Sequence, residues 1–275
     1  MTRQRKTQNI IDKAQLALTQ YHPMTVRQVY YRLVATQIIA NTRGQYKAVC
    51  RALVAARQDG TIPWNWIEDR LRLPRTVPMW HDVAHYADSA RRWYRRNVWL
   101  TQPQLVEVWL EKDALSGIFE SILQPFGITL NVGRGYDGWT SINHAALRYL
   151  RWRGHTTILY FGDFDPSGRD MIRSLEERIA FFGTSPNLKI CAILKSDIEN
   201  YDLPPDFTKS TDSRQTAFVL EHGDVSVELD ALPIQVLRDR IREAVEDHMD
   251  LVALEQCRET ERYDQQRIDS LLSGV

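Results

Sequence analysis

The sequence predicts an α/β protein in two parts: an N-terminal helical domain built on a winged helix-turn-helix (residues 1–100), and a C-terminal domain with a mostly parallel sheet (101–275). Three observations predict this. Apolar residues recur at helical spacing through the first sixty positions, a Pro- and Trp-rich extended stretch follows, and beyond residue 104 short apolar strands alternate with helices. The charge divides at the same place: residues 1–100 hold 17 Lys/Arg against 6 Asp/Glu, and residues 101–275 hold 18 against 29, although the formal net charge of the whole is zero. A basic module joined to an acidic one fits a polyanion docked on the first and a cation-requiring centre in the second, the plainer alternative being charge that only solvates the surface.

The elements follow in order. Residues 5–20 form an amphipathic helix carried by Ile10, Ile11, Ala14, Leu16 and Leu18 and ended by Tyr21, His22 and Pro23. Thr25 is placed as the N-cap of a second helix, 25–39, whose apolar face includes Val29, Leu33 and Val34. A third helix, 45–58, sets Tyr46, Val49, Leu53 and Val54 opposite Lys47, Arg51 and Arg57, and the polar turn 40–44 makes the pair a helix-turn-helix. Pro63, Pro74 and Pro78 then break helices while Trp, Ile, Thr and Val favour extended chain, as a β-wing would. A helix over 82–98 leads to the linker TQPQ (101–104), and Trp64, Trp66, Trp80, Trp93 and Trp99 are read as packing between wing and linker. Strands are expected at 105–110, 128–132, 156–161, 188–194 and 225–229, and helices at 113–124, 139–152, 168–182 and 233–272.

Composition excludes several classes. Cys50, Cys191 and Cys257 are far apart without paired spacing, which argues against a disulfide framework or structural zinc and fits a reducing cytoplasm. The N-terminus lacks a signal peptide's apolar core, and no stretch approaches the ~20 apolar residues of a membrane span. No GxxxxGK[ST] string is present, so ATP-driven work would need a partner chain.

Polar residues just after apolar strands are the first candidates for a site, because the carboxyl ends of parallel strands converge on one edge. Glu111 follows LVEVWL, and Asp163 and Asp165 follow TTILYF in the string FGDFDPSG. Three carboxylates brought together repel one another unless a hard cation joins them, and Mg²⁺ is the ion this predicts. Helix capping by the Asp-x-Asp pair ahead of Pro166-Ser167-Gly168 is the alternative.

Tyr30 and Tyr31 are consecutive on the second helix and so lie ~100° apart, which lets at most one face a ligand while the other packs. A tyrosine oxygen attacking phosphorus can hold a broken DNA end as an ester, and Arg27, one turn before Tyr31, is placed to stabilise the developing charge. The structural alternative is a packed residue with its hydroxyl satisfied. Arg43, Lys47, Arg51 and Arg57 on the third helix, with Arg70, Arg72 and Arg75 on the wing, are candidate contacts to DNA phosphates.

TVRQVYYRLV (25–34) resembles the Thr-x-Arg-x-apolar-Tyr-Tyr segment of type IIB topoisomerase A subunits and the meiotic double-strand-break transesterase, matching at Thr25, Arg27, Tyr30 and Tyr31. WLEKDAL and FGDFDPSG resemble the Glu and Asp-x-Asp motifs of the Toprim domain, with GRGYDG (133–138) between them similar to a glycine-tyrosine loop of that group, and VSVELDAL (225–232) resembles its later glutamate-containing segment, which implies Glu228 as a further acid, the alternative being an exposed strand-end residue before a helix. The resemblance implies a CAP-like winged helix followed by a Toprim domain, in the compact form called Mini-A. It further implies Tyr31 as nucleophile, Glu111, Asp163 and Asp165 as Mg²⁺ ligands with Glu111 also catalytic, double-stranded DNA as substrate, and a homodimer in which one protomer's tyrosine meets its partner's metal site. An ATPase B-type subunit encoded elsewhere is a further implied partner.

The expected function is therefore Mg²⁺-dependent DNA cleavage by tyrosine transesterification, leaving a 5′-phosphotyrosyl link. Two rivals stand beside it: a hydrolytic Toprim nuclease of a defence system, and a non-catalytic DNA-binding protein.

Overall fold

The computed structural model describes residues 5–68, 77–133, 138–152, 154–205 and 215–272. Its N-terminal part is three helices, α1 (Arg5–Tyr21), α2 (Val26–Ala35) and α3 (Arg43–Gln58). Helix α1 buries Ile10, Ile11, Ala14 and Leu18. Thr25 starts α2 with a reciprocal cap: its hydroxyl accepts from the Gln28 amide at 3.1 Å while the Gln28 side chain accepts from the Thr25 amide at 2.9 Å. The helix stops four residues short of the expected 39 because Gln37 turns left-handed (φ 57°), letting Gln37 N bond Val34 O and Ile38 N bond Leu33 O, which satisfies the terminal carbonyls.

The expected wing is only partly covered by the described residues, and Arg70, Arg72 and Arg75 lie outside them. Trp64–Trp66 form a 3-10 turn rather than a strand, with Pro63 at its cap and Trp66 stacked on His22 at 4.7 Å. Among the described residues, extended pairing here is a single parallel bridge between Met24 and Ile67. The next helix, α4 (Val83–Trp93), is shorter than expected and ends where Tyr94 leaves helical geometry. Trp66 and Trp99 pack as expected, whereas Trp64, Trp80 and Trp93 are exposed.

The remainder is α/β with a four-stranded, all-parallel sheet: β1 (Leu105–Leu110), β2 (Thr129–Val132), β3 (Thr156–Phe161) and β4 (Asn187–Ala192), in the order β2-β1-β3-β4. Helices α5 (Ser116–Leu123), α6 (Trp139–Trp152), α7 (Pro166–Phe181) and α8 (Lys195–Asn200) follow the strands, and α9 (Gln215–His222), α10 (Ile234–Glu246) and α11 (Leu251–Leu272) complete the described chain. The central strands β1 and β3 are buried almost throughout, as a sheet covered on both faces requires. Trp109, Ile158 and Tyr160 pack on one face with Ile142, Tyr149 and Leu175 of α6 and α7. Val106, Val108 and Phe161 face a second core that includes Leu237 and Ile241 of α10 and runs on without a break to Ile11, Leu18, Val29 and Leu53 of the N-terminal helices.

The linker TQPQ is stitched down rather than free. Gln102 donates to Asp250 O at 3.0 Å and accepts from Asp250 N at 2.8 Å, and Gln104 donates to His248 O at 2.9 Å. The strand expected at 225–229 is a correction: it is reduced to one antiparallel bridge between Val227 and Phe164, after which the chain turns at Leu229–Ala231. Inside the sheet a buried carboxylate, Glu107, accepts from Arg148 at 2.6 and 2.7 Å, Asn131 at 2.8 Å and Tyr149 at 3.0 Å, which joins β1, β2 and α6. Among the described residues, no helix is long and apolar enough to cross a membrane.

Candidate functional site

In a sheet of order β2-β1-β3-β4, the connection from β1 runs to β2 on one side and that from β3 to β4 on the other, so a crevice opens at the carboxyl ends of β1 and β3. The register sets Leu110 beside Phe161, which places Glu111 beside Gly162 and next to Asp163. The Glu111 amide donates to Phe161 O and its carboxylate accepts from the Asp163 amide, both at 2.9 Å. Gly162 is required by this approach: a Cβ there would stand 2.5 Å from the Glu111 carboxylate and 2.6 Å from the Tyr160 ring.

Phe164 drops into the core between the two aspartates. Asp163 accepts from the Leu229 amide at 2.7 Å, and Asp165 caps α7 by accepting from the Gly168 amide at 2.6 Å. The capping role foreseen as an alternative is thus one role of Asp165. Its charge also acts on Glu111. Burial, followed by the charges of Asp163 and Asp165, pushes the Glu111 carboxyl up to about 8. Burial likewise raises Asp163, against the opposing pull of Lys112.

Two further acids join this edge from the 225–232 segment. Glu228 and Asp230 are both buried, and the Lys112 ammonium sits between them and Asp163, at 3.1 Å from Glu228, 2.8 Å from Asp230 and 3.3 Å from Asp163. Burial alone would lower Lys112, but these carboxylates outweigh it and hold the ammonium well above the ordinary lysine value.

The tyrosine helix lies against the same segment. The Thr25 hydroxyl donates to Asp230 at 3.3 Å, and Arg27 is ion-paired with Glu228. Burial lowers Arg27, yet the charges of Glu228 and Asp230 and a hydrogen bond with Tyr31 leave its value raised. Tyr31 is 2% exposed and lines a crevice of about 30 Å³ between α2 and residues 230–234, room for a water molecule or two. Tyr30 points elsewhere: its hydroxyl donates to Asn41 at 2.7 Å and its ring meets Tyr46 edge-on. The two tyrosines divide as consecutive helical residues must, but both are buried, and α2 meets the acids of its own chain.

On α3, Arg43, Lys47 and Arg51 recur every four residues and are exposed along one line. Arg57 leaves that line and packs over the Trp64 ring at 4.9 Å. The residues that sequence reasoning missed are Lys112 and Asp230. Both stood within strings already singled out, Lys112 beside Glu111 and Asp230 two positions after Glu228, the spacing that shares a face in extended chain.

The donor set suits a hard divalent cation. Glu111, Asp163 and Asp165 offer only oxygens, and the Glu111 carboxyl is raised first by burial and then by the charges of Asp163 and Asp165, which a cation would offset. Among the described residues, however, no three carboxylate, imidazole or thiol side chains are already gathered tightly enough to hold an ion. Compared with known proteins, the chain matches the model of no family, and no curated protein matches it significantly.

Proposed function

We propose that this chain is a DNA-cleaving transesterase of the type IIB topoisomerase kind, a winged-helix and Toprim protein that acts on double-stranded DNA as a homodimer. The observation that carries the reading is continuity: Tyr31, Arg27, Glu228, Lys112, Asp163 and Glu111 form one chain of contacts from a phenol to the carboxyl edge of a parallel sheet. The basic line on α3 supports binding to a phosphate backbone with little sequence preference.

In the reaction, the Tyr31 oxygen gives up its proton and bonds to phosphorus as the bond to the 3′ sugar oxygen breaks, that oxygen leaves as a 3′-hydroxyl after taking up a proton, and the other strand end is retained as a 5′-phosphotyrosyl ester. Arg27, which already touches the phenol, is placed to meet charge building on the phosphoryl oxygens. Glu111, Asp163 and Asp165 would hold Mg²⁺, which when bound supplies polarisation of the phosphate and stabilisation of the leaving oxygen. Tyr31 is sealed in the docked arrangement, so α2 must lift from residues 228–234 before the phenol meets a phosphate. An ATPase partner from another gene would supply any ATP-driven strand passage.

That same burial favours a second reading, in which the carboxylates activate water and Tyr31 only packs. One gel separates them: labelled duplex DNA with protein and Mg²⁺, run under denaturing conditions with and without protease. Ends that enter the gel only after protease, and vanish in Tyr31→Phe, support the transesterase. Free ends from an active Tyr31→Phe protein would establish the hydrolase instead.

A further inference from the structure

The Lys112 ammonium occupies the centre of an acidic group drawn from three parts of the chain: the end of β1, the loop after β3, and the 225–232 segment. Among the described residues, five carboxylates meet at this edge, Glu111, Asp163, Asp165, Glu228 and Asp230, against two cationic side chains, Lys112 and Arg27. Arg27 is committed to the tyrosine helix and pairs with the outer acid, Glu228. Of the two cations it is Lys112 that touches Asp163, so the ammonium and an incoming ion contend for the same oxygen lone pairs.

We propose that Lys112 is a built-in counter-ion for this site, a positioning residue that a divalent cation must displace from Asp163 before the carboxylates can close on it. The inference rests on the reading of Glu111, Asp163 and Asp165 as cation ligands, and it names what sets their affinity. The ammonium holds Asp163, Glu228 and Asp230 at 2.8–3.3 Å, and of the three proposed ligands it is Asp163 that it engages. Divalent oxygen ligation is tighter, at ~2.1 Å for Mg²⁺, so closure needs the ammonium to withdraw. Lys112 also ties the cation site to the tyrosine helix, because Glu228 is shared between the ammonium and Arg27. An ion that frees Lys112 from Asp163 alters the charge balance at the Arg27 contact.

Binding that is mutually exclusive is coupled, and removing the competitor raises the affinity of the other ligand by the coupling factor, commonly 5–150-fold. The experiment titrates Mn²⁺ into the full chain without DNA, read by electron paramagnetic resonance of the free ion, with melting temperature as a second readout. Wild type, Lys112→Met, Lys112→Arg and Asp163→Ala are compared. Lys112→Met keeps an apolar stem but leaves acids unpaired, so it should melt lower than wild type without divalent ions. It should bind Mn²⁺ at least about ten-fold more tightly and recover more melting temperature on Mn²⁺ addition than wild type does. Lys112→Arg, which keeps the charge, should return both readouts toward wild type.

A lysine that only braces the fold would lower the melting temperature without tightening Mn²⁺ binding, and that result overturns the proposal. Equal or weaker Mn²⁺ affinity in Lys112→Met overturns it while leaving the cation site standing, provided that wild type binds and Asp163→Ala does not. If neither wild type nor Lys112→Met binds the ion, the cation reading and this inference fall together.

Discussion

Arg27 and Glu228, 201 positions apart in the chain, are joined as an ion pair that holds the tyrosine helix on the acidic segment. Glu228 is nearly buried while the Arg27 side chain is 38% exposed. Glu228→Gln should therefore destabilise the chain only modestly, by about 1–2 kcal/mol, with solvent screening the exposed partner. Its larger effect should be on Tyr31, whose nitration by tetranitromethane should accelerate as α2 loosens. Unchanged nitration would mean that other contacts hold the helix.

The Glu111 carboxyl, raised to about 8 by burial and by Asp163 and Asp165, keeps its proton through neutral pH in the cation-free chain. A divalent ion must expel that proton. Apparent affinity should rise with pH up to about 8, by at most ~10-fold per unit for one displaced proton, and level off above. The sign for stability is opposite. The folded chain holds this proton more tightly than the unfolded chain, so the group lowers stability progressively from about pH 4.5 to about 8. Calorimetric titration in buffers of different ionisation enthalpy checks the first claim. A pH-independent affinity would remove Glu111 from the ligand set.

Gly162→Ala inserts a methyl group 2.5 Å from the Glu111 carboxylate, and Gly168→Ala inserts one 2.5 Å from the Asp163 carbonyl. Each should cost about 1–3 kcal/mol, the range of overpacked sites. Gly162→Ala should in addition weaken divalent binding, because Glu111 has to swing away. Retention of wild-type affinity in a folded Gly162→Ala protein would contradict this account of the β1 and β3 edge.

Replacing Arg43, Lys47 and Arg51 together with Ala should weaken duplex binding and reduce the slope of log affinity against log salt by roughly 2–3, close to 0.9 for each phosphate that is no longer neutralised. Adding Arg57→Ala should change little more, since that guanidinium lies over Trp64. Fluorescence anisotropy at several salt concentrations measures both. An unchanged slope would move the DNA path off α3.

Mixing Tyr31→Phe chains with Asp163→Ala chains should restore protein-linked cleavage if each phenol serves its partner's acids, as the family resemblance implies. With both groups supplied by one chain, the mixture stays inactive. The assay is the denaturing gel run with and without protease.

Much of this architecture was legible in the chain itself. Strand ends at Leu110 and Phe161 were marked by apolar runs closing on an acid or a glycine, and Thr25 was placed as the N-cap of its helix. What escaped depended on contacts between distant segments. The 225–229 stretch has a strand's composition, yet only Val227 pairs, because Leu229 turns to meet Asp163. Lys112 drew no role from the sequence, because the acids at 228 and 230 reach it only through the fold. Tyr31 fits a nucleophile by motif and a core residue by burial, and periodicity does not distinguish the two.

The antiparallel bridge between Phe164 and Val227 gives two remote acidic stretches a common rigid mount. Length changes in the connections between α7, β4 and α8 should be tolerated as long as that bridge closes, whereas a shift of one register step at Val227 would carry Glu228 and Asp230 away from Asp163 together. Drift in this protein's relatives should therefore collect in those connections and spare the two anchor points.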